Sequence, residues 1–195
     1  MLKSAAFPRQ HTMGTTCPVK PRSQKHINSR TRAILISNPG NPTGVIYTEQ
    51  EMALISRIVR KHDLALIADE VYREFVYDGE YKSFGTMPEL AEHLIMIDSV
   101  SKRYSACGAR IGCVMTKNKE LSAQLLKCCQ ARLSVSQLDQ AGATGLYTTP
   151  ASYWEEVRNE YTRRRDTLKE ALSAMPGVIS VRTERGFLCH GQIAC

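Results

Sequence analysis

A lysine set among small hydroxyl residues is the side chain of this sequence best suited to covalent chemistry. Lys102 lies in the segment DSVSKRYSACGAR, directly after an apolar run. A lysine amine can form an imine with an aldehyde when its stem is held and its ammonium gives up a proton. Ser99, Ser101 and Arg110 add the hydroxyl donors and the bidentate cation that a phosphate group requires. This segment alone is equally typical of a surface lysine in a serine-rich loop, so other segments must decide.

Two more polar segments each follow an apolar run of their own. The segment NPGNPTG, residues 38–44, contains two prolines and two glycines that fix an irregular backbone and aim the amide of Asn41. Asp69 and Tyr72 follow the run at residues 64–68. Open α/β sheets bind ligands at the carboxyl ends of their strands, so we expect these side chains to share one site with the lysine.

The combined side chains favour one cofactor, pyridoxal phosphate. The carboxylate of Asp69 can pair with a protonated pyridine nitrogen and keep the ring an electron sink. The phenol of Tyr72 and the amide of Asn41 can hydrogen-bond the phenolic oxygen of the ring. Histidines and cysteines show no metal-ligand spacing, so no metal site is expected.

With these motifs the sequence resembles the class I/II aminotransferases, which are fold type I pyridoxal-phosphate enzymes, and the likeness is close to their aspartate/aromatic branch. The resemblance runs from about residue 27 to about residue 187. NPGNPTG, ADEVY and SVSK occur in the order of the family, and Arg110 stands eight residues after Lys102 as the family pattern requires.

The resemblance implies a role for each candidate residue. Lys102 is the Schiff-base lysine and carries the proton, and Asp69 faces the ring nitrogen. Glu70 is excluded from that role because successive strand residues point to opposite faces, and Asp69 is the one that matches the family motif. Tyr72 and Asn41 hold the ring oxygen. The phosphate is held by Ser99, Ser101 and Arg110.

The alternation of apolar runs with amphipathic helices predicts an α/β fold with a mostly parallel sheet and flanking helices. By resemblance, residues 27–175 are part of the large domain of a fold type I enzyme, and residues 176–195 are the start of a truncated small domain. Residues 1–26 show no periodicity and are predicted to be a disordered basic leader. Helices are expected at four places, which are residues 48–62, 118–133, 135–147 and 152–175.

The first of these helices is predicted to begin at a capping box formed by Thr48 and Glu51, with its buried face made of Met52, Ile55, Ile58 and Val59. The third is rich in small residues that permit close packing, and the last carries Leu168 on its apolar face. A strand is expected over residues 110–115, with Arg110 at its start. By resemblance, residues 178–181 are the first strand of the small domain.

Composition limits the partners. The 195 residues are 43% hydrophobic, which suits one folded domain, and no apolar run approaches the ~20 residues that span a bilayer. The net charge of +7 comes from residues 1–32, which contain seven basic and no acidic side chains, so nucleic acid is not an expected partner. The three arginines at 163–165 are interpreted as a solvated helix face. Seven cysteines without C-x-x-C spacing favour reduced thiols and a cytoplasmic location.

Three functions remain open. The resemblance implies a homodimeric aminotransferase that moves an amino group from an amino acid to a 2-oxo acid. The same machinery serves a pyridoxal-phosphate-dependent C–S lyase. The chain also looks like the central two-fifths to half of a family member, which favours a catalytically dead fragment or an association module. We expect cofactor binding at best, with negligible transamination.

Overall fold

A four-stranded sheet organises the part of the chain that carries the candidate residues. The computed structural model describes residues 27–41, 44–77, 79–176, 178–181 and 190–193. The predicted leader, residues 1–26, lies outside the described residues, as do most residues of the predicted small-domain start.

The strands lie side by side in chain order. They are β1 (Ala33–Ser37), β2 (Ala65–Asp69), β3 (Leu94–Ser99) and β4 (Gly112–Met115). β1, β2 and β3 are parallel, and β4 is antiparallel to β3. The predicted α/β class with a mostly parallel sheet is therefore confirmed.

Five helices and a separate hairpin complete the described structure. The hairpin pairs β5 (Val178–Val181) with β6 (His190–Ile193) in antiparallel register, and the resemblance implied only its first strand. The helices are α1 (Glu49–Lys61), α2 (Val100–Arg103), α3 (Lys119–Ala131), α4 (Gln137–Thr144) and α5 (Ala151–Ser173).

Helix α1 begins at the predicted capping box. The Thr48 hydroxyl accepts a hydrogen bond from the Glu51 amide, and the Glu51 carboxylate accepts one from the Thr48 amide. These two bonds satisfy amides that the first helical turn leaves unpaired. The helix packs its apolar side against the buried side of the sheet, so the core combines Met52, Ile55, Ile58 and Val59 with Ile34, Ile36, Leu66, Ala68, Phe84, Leu90 and Leu94.

The structure corrects several predicted boundaries after the lysine. Arg110 does not begin a strand, because it caps a 3₁₀ turn in the left-handed region with φ of 54°, and β4 starts two residues later. Helix α4 is shorter than predicted and continues as a 3₁₀ turn over Gly145–Thr148. The small side chains of α4 were expected to allow close packing, but the helix buries none of its residues.

Helix α5 also differs from its pattern. Leu168 occupies the predicted apolar face yet is 48% exposed. Arg163 and Arg164 both pair with Glu160, whose pKa is lowered by these hydrogen bonds. That agrees with the predicted solvated face. Arg165 departs from it, because its guanidinium covers the ring of Tyr77 and its side chain is only 16% exposed.

Among the described residues, no helix combines the length and apolarity needed to cross a membrane. Nor does that part of the chain gather three or more histidine, cysteine, aspartate or glutamate side chains into a possible metal site.

Candidate active site

The candidate residues lie where β1, β2 and β3 end. Backbone hydrogen bonds continue past the ladder at this edge. The Asn38 amide donates to the Asp69 carbonyl at 2.9 Å, and the Glu70 amide donates to the Ile97 carbonyl at 3.0 Å. The three segments that leave the strands therefore start from one bonded edge, which is where parallel sheets place ligands.

Tyr72 stands between the amide and the lysine that the sequence singled out. The Asn41 side-chain amide lies 3.3 Å from the Tyr72 hydroxyl. The Lys102 ammonium lies 5.8 Å from the centre of the Tyr72 ring. Three residues that are up to 61 positions apart thus meet at one place.

Asp69 and Glu70 point to opposite sides of the sheet. Within β2 the buried residues alternate with partly exposed ones, so Asp69 lies on the side away from α1. One of its carboxylate oxygens accepts a hydrogen bond from the Val71 amide at 3.2 Å. Glu70 is fully buried on the other side, where Ser83 and Phe84 donate to its carboxylate at 2.6 and 2.9 Å.

The predicted phosphate ligands are only partly brought together. The Ser99 hydroxyl caps α2 by accepting from the Ser101 amide at 3.0 Å, and it donates to the Ile111 carbonyl at 3.0 Å. Arg110 is exposed, and one guanidinium nitrogen donates to the Cys107 carbonyl at 3.1 Å. In the described part of the chain no hydrogen bond joins Arg110 to either serine.

Two buried residues that the sequence did not assign support this edge. Asn38 is fully buried, donates to the Lys82 carbonyl at 3.2 Å and accepts from the Tyr47 amide at 3.1 Å. Asn38 and Glu70 therefore fasten the segment 81–84 to the ends of β1 and β2. The signal for Asn38 was its place at the head of the proline-rich motif.

The same segment carries a phenol that stays neutral. Burial and then the negative charge of Glu70 raise the pKa of Tyr81 above the ordinary range of a phenol. Tyr81 and Glu70 lie on the core side of the sheet, away from Asp69, so their contact belongs to the support of the edge.

The donor set suits pyridoxal phosphate. Neither Lys102 nor Arg110 has a carboxylate within ion-pair distance among the described residues, so both cations are available to a ligand. Asp69 offers a carboxylate, and Tyr72 and Asn41 offer hydrogen bonds within reach of each other. A shallow depression lined by Thr31, Arg32, His62 and neighbouring residues lies at the amino ends of β1 and β2 and does not include these groups.

Comparison with known proteins identifies relatives. Residues 18–194 match the family described as aminotransferase class I and II. The chain is 31% identical over 172 residues to an aspartate aminotransferase of Bacillus subtilis, and the match covers 87% of this chain and 44% of that protein. It is 33% identical over 162 residues to an arginine–pyruvate transaminase of Pseudomonas aeruginosa, covering 82% of this chain and 41% of the relative.

Among solved structures, an alanine aminotransferase from Pyrococcus furiosus superposes with a TM-score of 0.79 at 28% identity. The superposition covers 89% of this chain and 45% of that structure. The chain therefore spans less than half the length of these curated relatives and of this structure.

Proposed function

The chain belongs to the class I and II aminotransferases, a pyridoxal-phosphate-dependent family, and we propose that it binds this cofactor through Lys102 and serves amino-group transfer from an amino acid to a 2-oxo acid. The observation that carries the proposal is the meeting of Asn41, Tyr72 and Lys102 at the carboxyl ends of three strands. Asp69 ends the strand between them.

Each residue has a proposed task. When bound, pyridoxal phosphate supplies an aldehyde for attachment and a ring that withdraws electrons from the substrate α-carbon. The Asp69 carboxylate holds a proton on the ring nitrogen, while Tyr72 and Asn41 donate hydrogen bonds to the ring oxygen. Ser99, Ser101 and Arg110 bind the phosphate.

Lys102 has a second task as a general base. With the cofactor bound, its amine would take a proton from the substrate α-carbon. The ammonium lies over the Tyr72 ring, so the phenol limits the directions in which the amine can move. A cation over an aromatic face is also attracted by the ring, which favours this placement.

The substrate class is proposed more broadly than any one amino acid. Relatives are named for aspartate, for arginine with pyruvate and for alanine. We therefore propose an amino acid and a 2-oxo acid as the substrate pair without choosing a side chain. A C–S lyase is the alternative reaction for the same residues.

Assembly, domains and location complete the proposal. Residues 27–175 form part of a large domain, residues 176–195 begin a small domain, and the chain works as a homodimer. Cytoplasm is the proposed location, supported by the free thiols of Cys107, Cys113, Cys128 and Cys129.

Titration with pyridoxal phosphate followed by turnover assays tests this function. Wild-type protein should develop a saturable visible absorbance, and Lys102→Ala should not. Lys127→Ala, which removes a lysine on the exposed surface of α3, is the matched control and should behave as wild type. Absence of saturable binding by the wild type would contradict the proposal.

Turnover distinguishes the alternatives. Aspartate and aromatic amino acids are each supplied with 2-oxoglutarate, and glutamate is measured; a sulfur amino acid is supplied separately, and sulfide and ammonia are measured. Glutamate formation that Lys102→Ala abolishes supports transamination. Sulfide and ammonia from a sulfur amino acid would indicate the lyase. Saturable binding with no product would indicate a cofactor-binding segment without turnover.

A further inference from the structure

Four charged side chains connect the turn after Tyr72 to the lysine segment. Arg73 and Asp98 form an ion pair with 2.7 Å between nitrogen and oxygen. Glu74 and Arg103 form a second pair at 3.1 Å, and the same Glu74 oxygen lies 3.7 Å from Nε of Arg73. We call these four residues the charge clamp. Arg73 and Glu74 directly follow Tyr72 in the chain. Arg103 directly follows Lys102, and Asp98 precedes that lysine by four residues.

The clamp is shielded from water more than an ordinary surface pair. Its four side chains are between 10% and 28% exposed. Asp98 also accepts a hydrogen bond from the Ser99 amide at 2.8 Å, so its carboxylate is held from two directions. Partly desolvated pairs with additional hydrogen bonds restrict geometry more strongly than exposed pairs do.

Helix α5 reinforces the lysine side of the clamp. The Trp154 indole donates to the Arg103 carbonyl at 3.2 Å, and the Arg103 guanidinium lies 5.4 Å from the centre of a Trp154 ring. The Tyr153 hydroxyl is 3.0 Å from that of Ser105. Both the side chain and the backbone of Arg103 are therefore fixed, next to the lysine.

We propose that the charge clamp is a set of positioning residues that hold Lys102 over the Tyr72 ring. Two ion pairs between the same two segments oppose both sliding and rotation, which a single pair would not. The role of this placement in cofactor attachment rests on the proposed function. The clamp touches neither cofactor nor substrate, and its effect on them passes through Lys102 and Tyr72.

Trace acetylation tests the clamp without any cofactor. Limiting acetic anhydride is added to the full-length chain, and the label on each lysine is counted by peptide mass spectrometry. In Glu74→Gln, release of Arg103 should free α2 and raise the labelling of Lys102 about tenfold relative to Lys127. Glu160→Gln removes the acid that pairs with Arg163 and Arg164 on α5 and should leave the ratio unchanged.

A double-variant cycle identifies the pair as the cause. If Glu74 acts through Arg103, then Arg103→Gln combined with Glu74→Gln should label Lys102 no faster than Arg103→Gln alone. An unchanged Lys102 ratio in Glu74→Gln would overturn the proposal. Additive effects of the two substitutions on Lys102 labelling would overturn the proposal as well. So would a rise in labelling shared by every lysine, since that indicates loss of structure.

The emission of Trp154, the single tryptophan of the chain, gives a second readout. Glu74→Gln should increase its quenching by acrylamide, because the guanidinium no longer covers the indole. Unaltered quenching would contradict a fixed Arg103. Both readouts use cofactor-free protein, so failure of the wild type to bind pyridoxal phosphate would reject the proposed function and leave the clamp to be judged on these data.

Discussion

At the scale of single residues, Tyr72 is the centre of the candidate site. Its hydroxyl meets the Asn41 amide and its ring lies beneath the Lys102 ammonium. The two contacts use different parts of one side chain. Removing the hydroxyl alone therefore separates hydrogen bonding to the cofactor from placement of the lysine.

We predict that Tyr72→Phe binds pyridoxal phosphate about tenfold more weakly, because one hydrogen bond to a polar ring oxygen is lost while the ring under Lys102 remains. Tyr147→Phe is the matched control, since Tyr147 is 87% exposed and far along the chain from the site. Affinity is measured by titration of the cofactor absorbance. An equal change in affinity in both variants would show that Tyr72 does not bind the cofactor.

The buried phenol of Tyr81 should make the stability of the fold depend on pH. Burial and the charge of Glu70 raise its pKa in the folded chain, whereas an unfolded tyrosine has a pKa of about 10. The folded state thus keeps a proton that the unfolded state loses. This contribution to stability is fully present below about pH 10 and is lost as the pH rises further.

Tyr81→Phe should therefore flatten the decline in unfolding free energy between about pH 10 and 11.5, measured by urea denaturation. Tyr147→Phe, an exposed control, should retain the wild-type decline. Identical pH profiles for wild type and Tyr81→Phe would show that the phenol is not buried beside Glu70.

The sequence predicted the positions of the candidate residues better than it predicted the buried residues that hold the surrounding segments. Motif order and apolar runs put Asn41, Tyr72 and Lys102 after neighbouring strands, and the structure has them there. The roles of these residues stay proposals. The partners of Asn38 and Glu70 could not be predicted, because the segment 81–84 reaches them through tertiary packing and carries no periodic pattern.

At the scale of elements, the sequence predicts a helix start correctly where residues of that helix specify it. The capping box starts α1 as predicted, and the predicted residues are buried. Helices α4 and α5 show the limit of such signals. Helical spacing predicts which side chains share a face, but what covers that face depends on other segments, so Leu168 remains half exposed.

The capping box supplies a prediction for α1. Thr48→Ala should lower the free energy of unfolding by about 1 kcal/mol, because the Glu51 amide loses its acceptor at the helix start. Thr48→Ser keeps the hydroxyl and should lose much less. Urea denaturation of both variants measures the difference. Equal losses would attribute the effect to the methyl group of Thr48 and not to the cap.

At the scale of the whole molecule, apolar side chains remain uncovered on the second half of the described chain. Leu133, Leu138 and Tyr147 are 78%, 82% and 87% exposed. Helices α3 and α4 bury none of their residues. Large apolar side chains that stay exposed to water favour association.

We predict that the chain associates with itself as its concentration rises, and that Leu138→Glu shifts this association to higher concentration. Gln137→Glu adds a charge to the same helix without removing apolar surface, so it should behave like the wild type. Sedimentation velocity over a concentration series measures the effect. Equal association of both variants would place the contact elsewhere on the molecule.

Reductive trapping tests most directly whether Lys102 is the residue that attaches the cofactor. Wild-type chain is incubated with pyridoxal phosphate and reduced with borohydride, and every lysine-containing peptide is weighed. We predict that the cofactor mass is concentrated on Lys102, and that Tyr72→Phe lowers its occupancy at limiting cofactor. Label distributed evenly over the exposed lysines, at the same level with and without Lys102→Ala, would contradict it.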